Sequence, residues 1–437
     1  MMKIGLTSLG CDKNRVDSEN MIGFLTEGGL EVVDDYALAD VVIINSCAFL
    51  QSAVSEAIGA VMEANSYPNV QKIILTGCLP QRYMAEITAE DGLTEVSAFV
   101  GNHHYHRICE IIDRVMVGEK VVLPNDNGDI LTSRRRPLST PLHYGYLKIA
   151  EGCNNRCTYC AIPAIRGAYK SAEIDDVVTE AKRLQSSYGT EEFILVAQDV
   201  TRYGSDKGEY LLMKLLDKLT ALDIYKIRLM YMYPELVTDS LIDRIYHDEK
   251  IASYIDMPMQ HSDSAVLKRM NRRGTGDDLR RIMDKIRKTD ISVRSTFMVG
   301  FPGETDAQFE NLLDFLETYK IENAGFFAFS REEGTPAYKL KDQIPQKIKK
   351  QRLLAAERLQ SRIMTDALDL QIGKVQLITY DGIDYDKNLF YGHDEYNHPD
   401  IDKKVYFTAS EGVNIGQRYN VKIQNRRKLD LLGKMES

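Results

Sequence analysis

The sequence has few cysteines and no long hydrophobic run. Its longest apolar stretches, such as residues 41–44, are far shorter than the roughly 20 residues that a membrane-spanning helix needs. The N terminus lacks the apolar core and small-residue cleavage site of a signal peptide, so we expect a cytoplasmic protein with no membrane partner. Seven cysteines among 437 residues are too few for a disulfide scaffold. Cysteines at marked spacings in such a chain indicate metal binding or catalysis instead.

Positive charge is scarce in the first 118 residues. The net charge is −9, and residues 1–118 contain seven Lys and Arg against sixteen Asp and Glu. The rest of the chain is balanced, and residues 370–437 hold ten charges of each sign. Because nucleic-acid binders are usually basic, this composition disfavours that class, although it leaves room for local basic patches.

The length predicts about three domains, at about 100–200 residues per domain. Residues 1–118 alternate β-rich runs with segments of helical periodicity, which predicts an open parallel α/β sheet. The β-rich runs are 3–8, 41–45 and 72–76, and the helical segments are 15–27 and 53–64. Residues 119–143 contain turn residues at 124–129 and several prolines, and we interpret them as a linker, with or without a small hairpin.

From residue 144 the alternation of strands and helices resumes. The strand candidates are 145–149, 193–197, 226–230, 254–257, 293–299 and 325–330. Six βα units are too few for a closed eight-stranded barrel, so residues 144–370, which end in a long charged helix, are predicted to form a partial (β/α)6 barrel. Residues 371–437 contain short β segments separated by glycine turns, which predicts a small antiparallel β-barrel. These segments are 375–380, 388–391, 405–409 and 418–423.

The strongest chemical signal is a Cys-x3-Cys-x2-Cys run formed by Cys153, Cys157 and Cys160. It lies in the loop after the first strand of the second βα region, where three thiolates can converge on a soft metal centre. A structural zinc site needs a fourth ligand, and none follows at zinc-finger spacing. Three ligands on a four-iron cluster would leave one iron free to hold a substrate or cofactor.

Three further cysteines, Cys11, Cys47 and Cys78, are dispersed, but each follows the end of a predicted strand. In an open α/β sheet the carboxyl ends of the strands share one edge, where ligands bind. The three cysteines can therefore meet at one site. From their positions alone, three buried structural thiols are an equally good interpretation. Cys109 lies in an amphipathic stretch and is interpreted as a packed thiol.

The loop from Glu151 to Cys160 resembles the signature of the radical S-adenosylmethionine (SAM) superfamily, including an aromatic residue, Tyr159, before the last cysteine. In that superfamily a four-iron cluster with an open iron binds SAM and, once reduced, cleaves it to a 5′-deoxyadenosyl radical. A partial βα barrel is also the fold of the superfamily. The resemblance implies that Cys153, Cys157 and Cys160 are the catalytic cluster ligands and that Tyr159 lies at the cofactor.

The order of the three regions is similar to that of the methylthiotransferase family of radical SAM enzymes. That family has an N-terminal domain with three dispersed cysteines, then a radical SAM core, then a small β-barrel of the TRAM type. Its first three cysteines hold a second four-iron cluster that handles the sulfur to be inserted. The resemblance implies that Cys11, Cys47 and Cys78 bind this second cluster, so that the cofactors are two [4Fe-4S] clusters and SAM.

Substrate divides this family into branches. One branch modifies an adenosine in transfer RNA, and the other modifies an aspartate of small-subunit ribosomal protein twelve. Residues 8–19, 48–49, 196–204 and 330–336 resemble the second branch. The neutral C-terminal region agrees, because an RNA-binding barrel should be basic. We therefore predict an enzyme that inserts a methylthio group at the β-carbon of this aspartate. The alternatives are a transfer-RNA adenosine methylthiotransferase and a non-catalytic iron–sulfur or RNA-binding protein.

Several weaker candidates stand at the ends of barrel strands, where catalytic groups of such barrels lie. Gln198 and Asp199 follow the second strand, and Gly300 and Gly303 follow the fifth. We interpret all four as contacts to SAM. A capping aspartate and a plain βα connection are equally good explanations of these pairs.

The resemblance also implies the partners. They are ribosomal protein twelve, free or within the assembled small subunit, a sulfur donor and an electron-donor protein. Transfer RNA is not expected as a partner. An acidic N-terminal domain suits a basic ribosomal protein, chiefly by steering the encounter.

Overall fold

The N-terminal region is an open, fully parallel six-stranded sheet. The computed structural model describes residues 1–126, 130–409 and 412–436. The strands of this sheet are β1 (Lys3–Ser8), β2 (Glu31–Val33), β3 (Val41–Ser46), β4 (Lys72–Gly77), β5 (Ala98–Val100) and β6 (Val121–Leu123). The helices are α1 (Asp12–Glu27), α2 (Gln51–Asn65), α3 (Cys78–Ile87) and α4 (Ile108–Met116). The spatial order is β2-β1-β3-β4-β5-β6, so β1, β3 and β4 are direct neighbours.

Both faces of this sheet are covered by helices. Val41 and Ile43 of β3 pack with α1 and α4. Val42 and Ile44 point to the opposite face and pack with α2 and α3. Burial on both faces explains why β3 is apolar along its length instead of alternating.

The segment predicted as a linker contains a strand of the N-terminal sheet. Strand β6 lies within 119–143 and pairs in parallel with β5. The described part of this segment contains no hairpin. Asn127, Gly128 and Asp129 of the predicted turn lie outside the described residues. The domain boundaries at 118, 143 and 370 stay predictions.

The central region contains all six predicted barrel strands. They are β7 (Tyr144–Lys148), β10 (Glu192–Val196), β11 (Lys226–Leu229), β12 (Tyr254–Asp256), β13 (Ser292–Val299) and β14 (Asn323–Ala328), and a two-residue pair, β8 (Ala150–Glu151) and β9 (Lys170–Ser171), flanks the first loop. The barrel strands form two parallel triplets, β11-β10-β7 and β12-β13-β14. Ile227 of β11 bridges to Ile251, just before β12, so the triplets meet there. The predicted partial barrel is confirmed.

Helices surround these strands. They are α5 (Ile162–Arg166), α6 (Ile174–Tyr188), α7 (Leu212–Thr220), α8 (Asp239–His247), α9 (Ser264–Arg269), α10 (Gly276–Ile286), α11 (Asp306–Tyr319) and α12 (Gln346–Asp369). Helix α11 begins at a capping box, in which the Thr305 hydroxyl accepts from the Gln308 amide. Within the described residues, no helix combines the length and apolar character that crossing a membrane requires.

The C-terminal region is a closed five-stranded barrel. Its strands are β15 (Val375–Asp384), β16 (Leu389–His393), β17 (Val405–Thr408), β18 (Arg418–Arg427) and β19 (Asp430–Met435). They close in the order β15-β16-β17-β19-β18. All pairs are antiparallel except β17 with β19. The predicted small barrel is confirmed, but the sequence pattern did not reveal β19.

The small barrel packs against the amino ends of the central strands. The Asp400 carboxylate accepts from the hydroxyls of Tyr144 and Tyr146 at 2.6 and 2.7 Å. Asp402 accepts from Tyr254 at 2.7 Å and pairs with Arg294 at 2.8 Å. These contacts cover the amino end of the partial barrel, so its carboxyl end is the side left for the chemistry.

Candidate active site

The three dispersed cysteines lie at one edge of the N-terminal sheet. Cys11, Cys47 and Cys78 follow β1, β3 and β4, which are neighbours. A Cβ built on Gly10 would lie 2.8 Å from Cys47 Cβ, so these loops pack closely. Burial raises the pKa of the Cys78 thiol to about 11, and the nearby thiols of Cys11 and Cys47 raise it further. The three thiols therefore lie close enough to interact electrostatically. The structure therefore brings the three together, and their role as ligands stays a prediction.

The second triad is held by a loop with many backbone anchors. Gly152 has φ 73°, and a Cβ there would lie 2.1 Å from the carbonyl oxygen of Ala168. The amide and hydroxyl of Thr158 donate to carbonyls of the α9–α10 region, each at 3.0 Å. Burial raises the pKa of Cys153 to about 11 and that of Cys160 to about 12. A bound cation would offset this cost, because metal coordination deprotonates a thiol.

A buried ion-pair network joins the two cysteine regions. The guanidinium of Arg166, in α5, donates to Asp17 of α1 at 2.9 Å and to Glu151 at 2.9 Å. The same guanidinium lies 3.6 Å from Cys78 Sγ. Glu151 stands two residues before Cys153. One side chain thus contacts a cysteine of the first triad and the base of the loop that carries the second.

This network holds its charges despite its burial. Burial opposes the charged form of Glu151, but Arg166 and Lys148 outweigh it and hold the pKa of that carboxyl well below its usual range. Gln198 donates to Glu151 at 2.7 Å, and its own carbonyl oxygen has no hydrogen-bond partner among the described residues. Gln198 thereby has one acceptor left for a ligand at the end of its strand.

A second connection runs through two tyrosines after β11. The hydroxyl of Tyr231 donates to Asp12, next to the first cysteine, at 2.8 Å, and the Lys13 ammonium lies 3.4 Å from the centroid of the Tyr231 ring. The hydroxyl of Tyr233 lies 3.7 Å from Cys157 Sγ. Tyr231 and Tyr233 are two residues apart, and two residues of extended chain span at most about 7 Å. Tyr231 contacts the residues next to Cys11 and Tyr233 contacts Cys157, so the two triads flank this short segment at the carboxyl end of the partial barrel.

Tyr159 and Asp199, which were also predicted to contact the cofactor, make contacts with other parts of the protein. Tyr159 packs among the residues around Met270 and Phe301. Asp199 is fully buried and accepts from Asn155 at 2.9 Å, so it orients the cysteine loop. Asp199 precedes a short helical turn but makes no side-chain capping bond to it, so the capping explanation is wrong, and a contact of Asp199 with SAM stays a prediction.

The two glycines adopt positive φ angles. Gly300 has φ 71°, and its Cβ position lies 2.5 Å from Cγ of Lys349. Gly303 has φ 75°, and its Cβ position lies 3.6 Å from Nε of Arg269. Tight turns explain both, and contacts of their backbone with SAM stay predictions. Cys109 donates to the carbonyl oxygen of Phe24 at 3.4 Å, as a packed thiol does.

Sequence reasoning did not identify Arg166, Lys13, Tyr231 or Tyr233. Arg166 and Asp17 are 149 residues apart, and no local pattern links them. The one available signal was the position of the tyrosines just after a barrel strand, where catalytic groups lie.

In neither cysteine triad do all three sulfur atoms lie within 4.8 Å of one another, which is too open for a compact site around one zinc ion. Around tetrahedral zinc, thiolates about 2.3 Å from the metal lie about 3.8 Å apart. Among the described residues, His143, Asp381 and His393 form the only group of three metal-ligand side chains whose ligand atoms all lie within 4.8 Å of one another. The two cysteine triads are more open, as expected for ligands spread around an iron–sulfide cube. The residues present therefore fit the implied clusters.

Known families match three consecutive parts of the chain. Residues 147–316 match the radical SAM superfamily, residues 3–101 match the uncharacterized protein family UPF0004, and residues 372–435 match the TRAM domain. The radical SAM methyltransferase TsrM from Kitasatospora setae aligns over 77% of this chain and 74% of its own, with 14% identity and a TM-score of 0.53. The cobalamin-dependent SAM radical enzyme OxsB aligns over 84% and 57%, with 9% identity and a TM-score of 0.52. The fold and the cysteine loop thus define a radical SAM enzyme.

Full-length relatives narrow the class to a family. The ribosomal protein uS12 methylthiotransferase RimO of Acetivibrio thermocellus is 41% identical over 99% of this chain and 98% of its own length. The protein of the same name from Clostridium tetani is 39% identical over 99% and 98%. The chain belongs to the family of ribosomal protein uS12 methylthiotransferases RimO. The predicted family, fold class and enzyme class are confirmed, and membership implies an iron–sulfur cluster and SAM as cofactors.

Proposed function

We propose that this enzyme inserts a methylthio group at the β-carbon of an aspartate in small-subunit ribosomal protein uS12. The observation that carries the proposal is the placement of two cysteine triads on either side of the segment from Tyr231 to Tyr233. A reaction that joins sulfur handling to radical formation needs both sites to open on one space. Full-length similarity to proteins named for this reaction supports the choice of substrate.

Two four-iron clusters fit this arrangement. In this proposal Cys11, Cys47 and Cys78 hold one cluster, and Cys153, Cys157 and Cys160 hold the other. Held by Cys153, Cys157 and Cys160, a cluster reduced by the electron donor would supply the electron for reductive cleavage of SAM, which is the source of the radical that removes a hydrogen atom from the substrate. The hard chemistry belongs to the cofactors, and the protein positions them and excludes side reactions.

The residues of the chain act by orientation and by exclusion of water. The Asn155 amide donates to Cys153 Sγ at 3.5 Å, and the guanidinium of Arg166 lies beside Cys78 Sγ. Donors of this kind stabilise thiolate ligands. Cys157 and Cys78 are buried, so solvent has little access to their sulfur atoms. The substrate aspartate enters at the carboxyl end of the partial barrel, because the small barrel covers the other end.

The substrate is tested by mass spectrometry of uS12 and of transfer RNA from a strain that lacks this protein. We expect the methylthio group to disappear from the uS12 aspartate, to return with the wild-type gene, and to stay absent with a Cys157→Ala gene. Transfer-RNA methylthiolation should be unchanged. Loss from transfer RNA with uS12 unaffected would contradict the proposal and favour the other branch. A non-catalytic carrier would release no 5′-deoxyadenosine from SAM when reduced without oxygen.

The number of clusters is tested by iron and sulfide analysis of anaerobically prepared protein. We expect about eight irons per chain, falling to about four when either triad is replaced by alanine. Cys109→Ala is the matched control, because Cys109 contacts Phe24 in the N-terminal domain and should not bind iron. About four irons in the wild type, lost with a single triad, would leave one cluster and contradict the two-cluster proposal.

The sulfur donor and the electron donor belong to the same proposal. The sulfur donor must deliver to the space between the triads, whereas the electron donor needs only to reduce the clusters. The excess of negative charge in residues 1–118 supports recognition of a basic ribosomal protein by that domain.

A further inference from the structure

Lys13 is a largely buried residue whose ammonium makes no ion pair or hydrogen bond with the described residues. It is 8% exposed, and it stands two residues after Cys11 in the first turn of α1. The described residues include ten buried lysines and arginines, and each of the others makes an ion pair or a hydrogen bond. Within the described part of the chain, Lys13 has no carboxylate oxygen within 4.0 Å and no hydrogen-bond acceptor, and its close contact is the ring of Tyr231 at 3.4 Å. The Nζ atom of Lys13 keeps some solvent access, so a ligand can reach this ammonium.

The other cations near the first triad are paired at short range, whereas Lys13 interacts with the buried carboxylate of Asp256 only at longer range. Lys148 and Arg166, the other buried cations near the first triad, share the carboxylates of Asp17 and Glu151. The nearby carboxylate of Asp12 accepts from the Tyr231 hydroxyl, and it makes no ion pair with Lys13. A ring face supplies part of the stabilisation of a cation, but it leaves the N–H groups of the ammonium without acceptors.

The helix start adds to the attraction for an anion. Cys11 is the N-cap residue of α1, and its side chain makes no capping hydrogen bond. The first-turn amides and the positive end of the helix dipole belong to the same turn as Lys13. Helix α1 is 16 residues long, and its start is adjacent to the first triad.

We propose that Lys13 binds the side-chain carboxylate of the substrate aspartate. This inference rests on the proposed function. A carboxylate at Lys13 sets the adjacent β-carbon beside Tyr231, in the region between the two triads. Lys13 then acts as a specificity residue, since asparagine in the same place would leave the ammonium unneutralised.

The test compares the binding of uS12 with the binding of uS12 in which the target aspartate is replaced by asparagine, for the cluster-loaded enzyme. The measurement is made with purified uS12 and with small ribosomal subunits that contain it. We expect the wild type to bind the aspartate form about ten- to a hundredfold more tightly, as for one charge-assisted hydrogen bond. Lys13→Met should lose this preference, and Lys13→Arg should keep part of it. Lys72→Met is the matched control, because Lys72 begins β4 at the opposite edge of the same sheet, and it should keep the full preference.

Two results would overturn the inference. One is a wild type that binds both forms of uS12 equally. The other is a Lys13→Met variant with wild-type iron content that keeps the preference for aspartate. If the wild type methylthiolates uS12 in either case, the proposed function stands and only the role of Lys13 fails. If the wild type methylthiolates transfer RNA and leaves uS12 unmodified, the proposed function fails and this inference fails with it.

Discussion

At the scale of single residues, two glycines in the N-terminal domain have similar backbones and different surroundings. Gly10 has φ 98° and Gly29 has φ 76°. A Cβ at Gly10 would lie 2.8 Å from Cys47 Cβ, whereas a Cβ at Gly29 meets nothing within 4 Å. Alanine at either position costs about 1–2 kcal/mol of backbone strain. Only alanine at Gly10 would also displace a cysteine of the first triad.

We therefore expect Gly10→Ala to lose most of the iron of the N-terminal cluster and to keep that of the core cluster. Gly29→Ala should carry as much iron as the wild type. Iron per chain after anaerobic reconstitution measures both variants. Full iron in Gly10→Ala would show that the contact with Cys47 does not control this site.

Arg166 provides a second prediction at this scale. Replacing it with glutamine leaves Asp17 and Glu151 buried with less positive charge, and breaking a buried ion pair costs about 3–5 kcal/mol. We expect a lower midpoint of thermal unfolding for Arg166→Gln and a smaller loss for Arg166→Lys. The reduction potential of the N-terminal cluster should also become more negative, because the donor beside Cys78 Sγ is lost. An unchanged potential in a redox titration followed by EPR would contradict that role.

The sequence predicted the two cysteine triads for different reasons. Cys153, Cys157 and Cys160 stand out by their short spacing, whereas Cys11, Cys47 and Cys78 follow parallel strands whose carboxyl ends share one edge. Partners such as Arg166 and Lys13 were out of reach, because their contacts join segments that meet only in the folded chain. Hydrophobic periodicity says nothing about which charged side chain faces which.

At the scale of elements, β-rich runs of four or more residues were the predictable part. Strands β1, β3, β4 and the six barrel strands coincide with such runs. Strand β6 has three residues, and it lies among turn residues that favour a linker. Strand β19 has only two consecutive apolar residues, both leucines, which is too short a run to predict a strand. Its parallel pairing with β17 depends on closure of the barrel. Short strands of this kind are fixed by their neighbours more than by their own sequence.

The junction of the small barrel with the core predicts a pH dependence. His393 of β16 hydrogen-bonds Asp381 at 2.8 Å and Glu192, the first residue of β10, at 2.9 Å. Burial disfavours the imidazolium, but these two carboxylates outweigh it and raise the pKa of His393 to about 10. In the unfolded chain a histidine has a pKa of about 6.5. Between about pH 6.5 and pH 10, His393 is therefore protonated in the folded protein and mostly neutral in the unfolded chain.

Stability from this contact should be complete below about pH 6.5 and should be lost as the pH rises toward 10, by up to about 1.4 kcal/mol per pH unit. We expect the midpoint of thermal unfolding to fall over this range in the wild type. His393→Gln should start lower and show a flatter profile. Parallel profiles for the two proteins would contradict a charged His393 at this junction.

At the scale of the whole molecule, both outer domains pack on the central partial barrel. Val16 of α1 packs in the barrel interior with Tyr146 and Met230. The small barrel covers the amino ends of the same strands through Asp400 and Asp402. The N-terminal domain is thereby fixed against the carboxyl end, where the two triads share the segment after β11. Domain order was predictable from the sequence, but this arrangement of the domains was not.

The central claim is that two clusters open on one space, and the EPR spectrum of the fully reduced protein tests it most directly. The reference is the sum of the spectra of two variants, each with one cysteine triad replaced by alanine. Neighbouring paramagnetic clusters interact magnetically, so the wild-type spectrum should be broadened and split relative to that sum. A wild-type spectrum equal to the sum, or a triad that yields no cluster signal, would contradict the account.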